Sequence, residues 1–145
     1  MKEFSKDKFI KKDEWFIRGT EFSVKISHVF RKGFPNLGIE DNHAWCLYTM
    51  IFNKHPLFKK ACKNKVDYDT DLGNKLYPNF HWGCTYYSRQ ANYVEIGCDY
   101  QHLGDEKFMA SAELSDEILK DAKELFEYME EKANENNNNK SNGNA

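Results

Sequence analysis

The chain has 145 residues, of which 40% are hydrophobic and 15% aromatic, enough for one domain with a ring-rich core. Its net charge of -2 gives no basis for general nucleic-acid affinity, which needs a strongly basic face. No segment has the apolar length of a signal peptide or a membrane span, so we expect a cytoplasmic protein that does not bind membranes. Its four cysteines form no C-x-x-C pair and are therefore expected to be free thiols.

The first half of the chain predicts a sheet. Residues 1–13 are lysine-rich and weakly patterned, which is typical of a loose arm. Residues 14–18 and 21–28 flank Gly19, and the second run alternates apolar and polar side chains, as a half-buried strand of a hairpin does. The almost continuously apolar run 44–52 suits a central strand, although periodicity alone also allows a buried helix.

The C-terminal part predicts one long amphipathic helix. Ser115 is a good N-cap, and the apolar residues after it repeat at helical spacing. The Asn-rich segment 134–145 cannot bury a core and is expected to be disordered. The sequence therefore predicts a single α+β domain over 14–133, with an antiparallel sheet of about four or five strands and the C-terminal helix packed on it.

The segments around 80–87 and 93–100 are predicted to form a second hairpin. If its loop is 89–91, the bulky apolar side chains share one face and the polar side chains share the other. The predicted polar pairs are His81 with Asp99, Gly83 with Gly97, and Thr85 with Glu95. Because strand interiors normally avoid glycine, two glycines facing each other suggest space kept open for a ligand. The candidate ligand-binding residues are His81, Thr85, Glu95 and Asp99, with His102 and Asp105 at the rim.

Three interpretations of this polar strip stay open. It can be a polar pair that only fixes the register, a ligand-binding surface, or a metal or catalytic site formed by His81, Asp99, His102 and Asp105. The spacing Asp99-x-x-His102-x-x-Asp105 offers enough nitrogen and oxygen ligands for a divalent ion, but it is not diagnostic of one metal. Phosphate-loop, serine-hydrolase and zinc-protease motifs are missing from the sequence.

Several short motifs resemble those of a family of small, largely uncharacterised proteins from phages, prophages and bacteria. The matching residues, in the order of the family pattern, are His55-Pro56-Leu57-Phe58, Asp67-Tyr68-Asp69, His81, Gly83, Thr85, Tyr86, Gly97, Asp99, His102, Gly104 and Asp105. The chain departs from the pattern at Trp82, where the family has glycine, and in its extra lysine-rich stretch 59–65. The resemblance implies a mobile-element origin and a small accessory role, such as countering or modulating host defence.

The sequence therefore favours a noncatalytic binding protein that holds a small polar or nucleotide-like ligand, or a host protein. No cofactor is expected, although the His/Asp cluster leaves room for a divalent metal, and a homo-oligomer is also allowed. Two alternatives come from other classes. One is a metal-assisted hydrolase using the His/Asp cluster. The other is an acidic protein–protein inhibitor whose helix face mimics nucleic acid through Glu124, Glu127, Glu130 and Glu131.

Overall fold

In the computed structural model, the described part of the chain contains five antiparallel strands that form one open sheet. The strands are β1 (Ile10–Gly19), β2 (Phe22–Arg31), β3 (Asn42–Phe52), β4 (Tyr86–Arg89) and β5 (Tyr93–Asp99). Their order across the sheet is β1-β2-β3-β5-β4, so β1 and β4 are the two edges.

The structure describes the backbone of residues 10–62 and 69–143, and the side chains of residues 13–61 and 69–135. Strand β1 begins at Ile10 and pairs with β2 from Ile10↔Arg31 onward, so residues 10–13 are part of the sheet. The prediction of a loose arm over 1–13 is wrong for those four residues, because pairing with the long strand β2 outweighs their weak pattern. Residues 1–9 lie outside the described part.

In the described ranges 10–62 and 69–143, four α-helices complete the fold. They are α1 (Phe58–Cys62), α2 (Thr70–Leu76), α3 (Glu106–Met109) and α4 (Asp116–Gly143). Helix α4 packs on the sheet and begins as predicted, because the Ser115 hydroxyl accepts a hydrogen bond from Ile118 N–H at 3.1 Å. The α+β class, the antiparallel sheet and the packed C-terminal helix are therefore confirmed. In the ranges 10–62 and 69–143, no helix is both long and apolar enough to cross a membrane.

Helix α4 also continues further than the sequence predicts. Its backbone is helical to Gly143, whereas the segment 134–145 was expected to be disordered. Once the packed part of the helix has formed, extending it by one residue changes the free energy only by the helix propensity of that residue. The Asn-rich segment also contains no proline that would interrupt the helix. Residues 144 and 145 are outside the described part of the chain.

The core lies between α4 and one face of the sheet. The largest fully buried side chains there include Trp45 of β3, Tyr100 just after β5, and Leu125 and Met129 of α4. The opposite face of the sheet carries half-buried side chains such as Tyr48. Cys84 and Cys98 are buried free thiols, in agreement with the expected reduced state. The site described below lies where the chain leaves this core at the end of β5.

The register of the second hairpin differs from the prediction. Strand β4 begins only at Tyr86, and the partner of Gly97 is Tyr86 instead of the predicted Gly83. The preceding residues Trp82 and Gly83 have φ angles of +60° and +86°, which an extended strand cannot contain. The apolar pattern predicts the wrong register because a tyrosine side chain can lie either in the core or at the surface. Tyr87 is buried against the core, while Tyr86 lies on the opposite face.

The two glycines therefore do not face each other, and no space is kept open between them. Gly97 lies under the ring of Tyr48, and a Cβ added at Gly97 would overlap that ring. Gly83 lies in the turn before β4, with its nearest neighbour in the side chain of Asn74. Gly97 thus serves the close packing of an aromatic ring on the backbone rather than a ligand pocket.

The buried histidine His55, just after β3, makes the stability of the fold depend on pH. Its Nε2–H donates to the Met129 carbonyl at 3.0 Å, and its Nδ1 accepts from Leu57 N–H at 3.2 Å, so the ring is neutral. Burial lowers the pKa of His55 below its ordinary value of 6.5, against a smaller opposing effect of the Met129 carbonyl. Since the unfolded chain then binds the proton more readily, this contribution to stability is full above pH 6.5 and is lost as the pH falls below it.

We therefore expect the free energy of unfolding to decrease between neutral pH and pH 5, and the decrease to be smaller in His55→Gln. The glutamine amide can still donate to the Met129 carbonyl but does not titrate. Urea unfolding of both proteins over this pH range measures the difference. Equal pH dependence in the two proteins would contradict the neutral, buried state of His55.

Candidate metal centre

Two turns bring the candidate site together. His81 lies in the turn between α2 and β4, and His102 lies in the turn that follows β5. Gly104 has a φ of +96°, a left-handed conformation that favours glycine, and it lets the chain reverse so that Asp105 N–H donates to the His102 carbonyl at 2.9 Å. Asp105 immediately precedes α3 as its N-cap residue, with its carboxylate directed back at both histidines.

The carboxylate of Asp105 is the centre of the cluster. His81 Nε2 lies 2.9 Å from Asp105 Oδ1 and 3.0 Å from Oδ2. His102 Nδ1 lies 3.3 Å from Oδ2, and the backbone N–H of His102 donates to the same oxygen at 2.9 Å. The ligand atoms of the three residues all lie within 4.8 Å of one another. The prediction that His81 pairs with Asp99 is therefore wrong, because it depended on the incorrect hairpin register.

Asp105 carries a negative charge in a buried position. Its side chain is only 4% exposed, whereas those of His81 and His102 are 23% and 22% exposed. Burial alone would raise the pKa of the Asp105 carboxyl, but the hydrogen bonds from His102 N–H and His81 lower that pKa below its ordinary value of 3.8. The cluster thus combines a buried carboxylate with two imidazoles that reach solvent.

Aromatic rings hold His81 in place from the core side. Tyr100 stacks on His81 with ring centroids 4.5 Å apart, and Phe108 of α3 meets it edge-on at 6.0 Å. The hydroxyl of Tyr100 donates to Asp121 Oδ2 of α4 at 2.7 Å, which fixes the tyrosine ring in turn. The orientation of His81 is therefore connected to the long helix.

His102 is held by Trp82. The two rings are stacked 5.0 Å apart and are almost parallel, with an interplanar angle of 4°. Trp82 holds this position with a φ of +60°, a conformation that costs a residue with a side chain about 1–2 kcal/mol relative to glycine. A glycine at this position would fit the backbone without strain, but it would leave one face of His102 uncovered.

The other predicted site residues lie beside the cluster or away from it. Asp99 Oδ1 is 3.6 Å from His102 Nδ1, and the same carboxylate accepts from the Thr85 hydroxyl at 3.0 Å and from Gln101 N–H at 3.1 Å. Asp99 and Thr85 therefore border the cluster. Glu95 lies four residues earlier on β5 and forms an ion pair with Lys25 at 3.7 Å, so the structure does not bring it to the site.

The donor set could hold a metal ion. Two imidazole nitrogens and one carboxylate oxygen suit zinc and other divalent transition metals, whereas calcium and magnesium prefer oxygen ligands alone. Ligand atoms about 2.0–2.2 Å from a tetrahedral zinc lie roughly 3.3 Å from each other. The separations of 2.9 Å from His81 Nε2 to Asp105 Oδ1 and 3.3 Å from His102 Nδ1 to Asp105 Oδ2 are close to that value, and the ligand atoms of all three residues lie within 4.8 Å of one another.

A second pair of histidines, not predicted from the sequence, lies at the end of β2 and the start of β3. The ring nitrogens His28 Nε2 and His43 Nδ1 are 2.8 Å apart, and His28 Nδ1 lies 3.3 Å from Asp13 Oδ2. The two-residue turn between β1 and β2 places Asp13 opposite His28, so counting back from that turn could have found this contact.

The acidic face of α4 is partly used for contacts within the chain. Glu130 accepts two hydrogen bonds from Thr20, at 2.6 and 2.9 Å.

Comparison with known proteins gives no match: no protein-family model, no curated protein and no solved structure is similar to this chain. The resemblance to phage and prophage proteins consequently stays a prediction from the motifs. Evidence for the function therefore comes from the geometry of the cluster.

Proposed function

We propose that the protein is a small noncatalytic binding protein whose site takes one divalent transition-metal ion at His81, His102 and Asp105. One observation carries the proposal. Side chains from two separate turns converge within 4.8 Å around a carboxylate that is buried and yet charged. Both histidines already pair with this carboxylate, and a bound cation would compensate the same buried charge. The three donors match the ligand types of zinc sites.

With an ion bound, Asp99 and Thr85 would border its solvent side. Asp99 would orient His102 or serve as a fourth ligand, since its oxygen is 3.6 Å from His102 Nδ1. A small polar ligand, or a carboxylate of a host protein, could then complete the coordination sphere. The role in host-defence modulation that the motif resemblance implies would act through such a partner.

A metal-assisted hydrolase is the second candidate. Three protein ligands leave a coordination position for water, as in catalytic zinc sites. We favour binding because Asp99, the carboxylate beside the cluster, already accepts hydrogen bonds from the Thr85 hydroxyl and Gln101 N–H. Two of its acceptor sites are therefore already in use, which leaves fewer for a proton from metal-bound water.

Metal titration tests the proposal. Untagged protein, stripped with a chelator and then titrated with Zn²⁺ against a competing dye, is expected to bind one ion per chain. His102→Ala removes one ligand and should weaken binding by at least about 100-fold, while Asp99→Asn should weaken it by about tenfold if Asp99 orients His102. Elemental analysis of the protein as purified gives the identity of the native metal.

The matched control is His43→Ala, which removes a half-buried histidine that contacts His28 and Phe30 rather than the cluster. Zinc binding that is absent in the parent protein, or that is lost equally in both alanine variants, would overturn the proposal. Hydrolysis of a phosphodiester or ester by the Zn²⁺- or Mn²⁺-loaded protein, abolished by His102→Ala, would favour the hydrolase instead.

A further inference from the structure

Helix α4 and the segment that follows α2 border a second surface pocket. Its volume is about 270 Å³, far more than one water molecule or metal ion needs, so it has room for an organic group. The pocket shares no residue with the cluster of His81, His102 and Asp105. The residues that line it are Tyr77, Asn79, Glu124, Glu127, Tyr128 and Glu131.

The α4 side of the pocket is negatively charged. The helical positions 124, 127, 128 and 131 share one face, because their spacings are three, four and seven residues. Glu124 forms an ion pair with Lys120 at 3.8 Å, whereas no side chain in 13–61 or 69–135 pairs with Glu127 or Glu131. Like charges four residues apart lower the stability of a helix. A cation bound beside Glu127 and Glu131 would therefore relieve their repulsion.

Tyr77 is the buried residue of this lining, and its hydroxyl points to a ligand independently of the carboxylates. Its residue is 2% exposed, and its ring is held edge-on by Phe80 and Tyr128, with centroids 4.8 and 5.0 Å away. Among the described residues the Tyr77 hydroxyl has no hydrogen-bond partner. Because buried hydroxyl groups are normally hydrogen-bonded, a ligand in the pocket would supply the missing partner.

The Tyr77 hydroxyl lies close to the acidic face of α4. Burial, followed by the negative charge of Glu124, raises the pKa of Tyr77 to about 12. The phenol is consequently neutral at physiological pH, and its oxygen can accept a hydrogen bond. The pocket therefore presents a buried neutral acceptor beside exposed anionic acceptors.

These acceptors specify a cation with several N–H donors. An ammonium group has three donors, whereas a planar guanidinium has five and also packs well against aromatic rings. The Tyr128 ring already has the Lys132 ammonium 5.4 Å from its centroid, so it attracts cations. Calcium and magnesium would bind the carboxylates of Glu127 and Glu131 but prefer charged or carbonyl oxygens to the phenol of Tyr77.

We propose that this pocket binds a guanidinium group between the Tyr77 hydroxyl and the carboxylates of α4. Glu127 and Glu131 accept hydrogen bonds from its exposed N–H groups, and Tyr77 accepts one at the buried end. The ring of Tyr128 packs against the cation. The guanidinium belongs either to a free arginine-like ligand or to an arginine side chain of a protein. The inference does not depend on metal binding, because the two sites have separate residues.

Calorimetric titration of the full chain with L-argininamide tests the proposal. This probe carries a guanidinium and no carboxylate, and it is expected to bind saturably with one equivalent per chain. L-citrullinamide has the same shape but a neutral urea group, and it should bind at least about tenfold more weakly. Tyr77→Phe removes only the hydroxyl and should raise the dissociation constant for L-argininamide about fivefold. Glu127→Gln removes one exposed charge and should raise it about threefold.

Glu117→Gln is the matched control. It removes the same charge at an exposed position of α4 that pairs with Lys107 outside the pocket, and it should leave the affinity unchanged. A Gly-Arg-Gly peptide blocked at both ends distinguishes the two sources of the guanidinium. Binding of the peptide as tight as that of L-argininamide assigns the site to an arginine of a protein, and binding of L-argininamide alone assigns it to a free ligand.

Four results would overturn the proposal. The first is the absence of saturable binding of L-argininamide at millimolar concentration, and the second is equal binding of L-citrullinamide. The third is an unchanged affinity in Tyr77→Phe, whose thermal midpoint shows whether the variant is folded. The fourth is displacement of L-argininamide by equal concentrations of Ca²⁺, which would show that the carboxylates bind any cation and that Tyr77 contributes no selectivity.

Discussion

Replacing Asp105 with alanine is expected to lower the free energy of unfolding by about 3 kcal/mol. The carboxylate accepts hydrogen bonds from His81, from His102 Nδ1 and from the His102 backbone N–H, all within 3.3 Å. Its loss would leave those donors without their partner and would release the turn that precedes α3. Urea unfolding at neutral pH in the presence of a chelator measures the effect separately from any contribution of bound metal.

The pH dependence of this effect has a definite sign. Because the pKa of Asp105 is lowered in the folded chain, its contribution is full above the ordinary value of 3.8 and is lost as the pH falls further. The difference between the parent protein and Asp105→Ala should therefore shrink in acid. Asp105→Asn, which keeps the shape but not the charge, should be less destabilised than the alanine variant. An alanine variant as stable as the parent would mean that the cluster does not hold the turn.

Replacing Gly97 with alanine is expected to destabilise the protein by about 3 kcal/mol, which is at the upper end of the usual cost of overpacking. The added Cβ would overlap the Tyr48 ring and would lie 2.5 Å from the Leu47 carbonyl oxygen in the neighbouring strand. Strand β5 is central in the sheet, so the backbone has little freedom to move away. Chemical denaturation of the variant gives the loss directly.

Tyr48 provides the control for that prediction. Tyr48→Ala removes the ring but not the Leu47 carbonyl, so the double variant should lose clearly less stability than the sum of the two single variants. Additive losses would show that the ring and Gly97 are not in contact. A Gly97→Ala protein with full stability would restore the earlier interpretation, in which this glycine borders open space.

The sequence predicts those parts of the fold that depend on local patterns. The stripe of α4, its cap at Ser115 and the alternation of β2 each follow from neighbouring residues, and each is found as expected. The site is predictable only in part, for the same reason. His102 and Asp105 are joined by a three-residue spacing, so their proximity can be inferred from the sequence.

The contact between His81 and Asp105 could not be inferred in this way. It depends on a turn in which Trp82 adopts a positive φ, an arrangement that pattern rules do not assign to tryptophan. The register of β4 could not be predicted either, because each of the consecutive tyrosines 86 and 87 can face the core or the solvent. The apolar run Trp15-Phe16-Ile17 is visible in the sequence, but only the strand order of residues 10–62 and 69–143 shows that it lies on an edge strand.

The stacking of Trp82 on His102 also limits what can reach the cluster. Trp82 covers one face of His102, Tyr100 covers one face of His81, and Asp105 is buried between the two imidazoles. An ion held by these nitrogens would lie in the planes of the two rings, because the lone pair of an imidazole nitrogen lies in the ring plane. The stacked indole and phenol rings would therefore leave that direction of approach uncovered. A glycine in place of Trp82 would instead expose one face of His102.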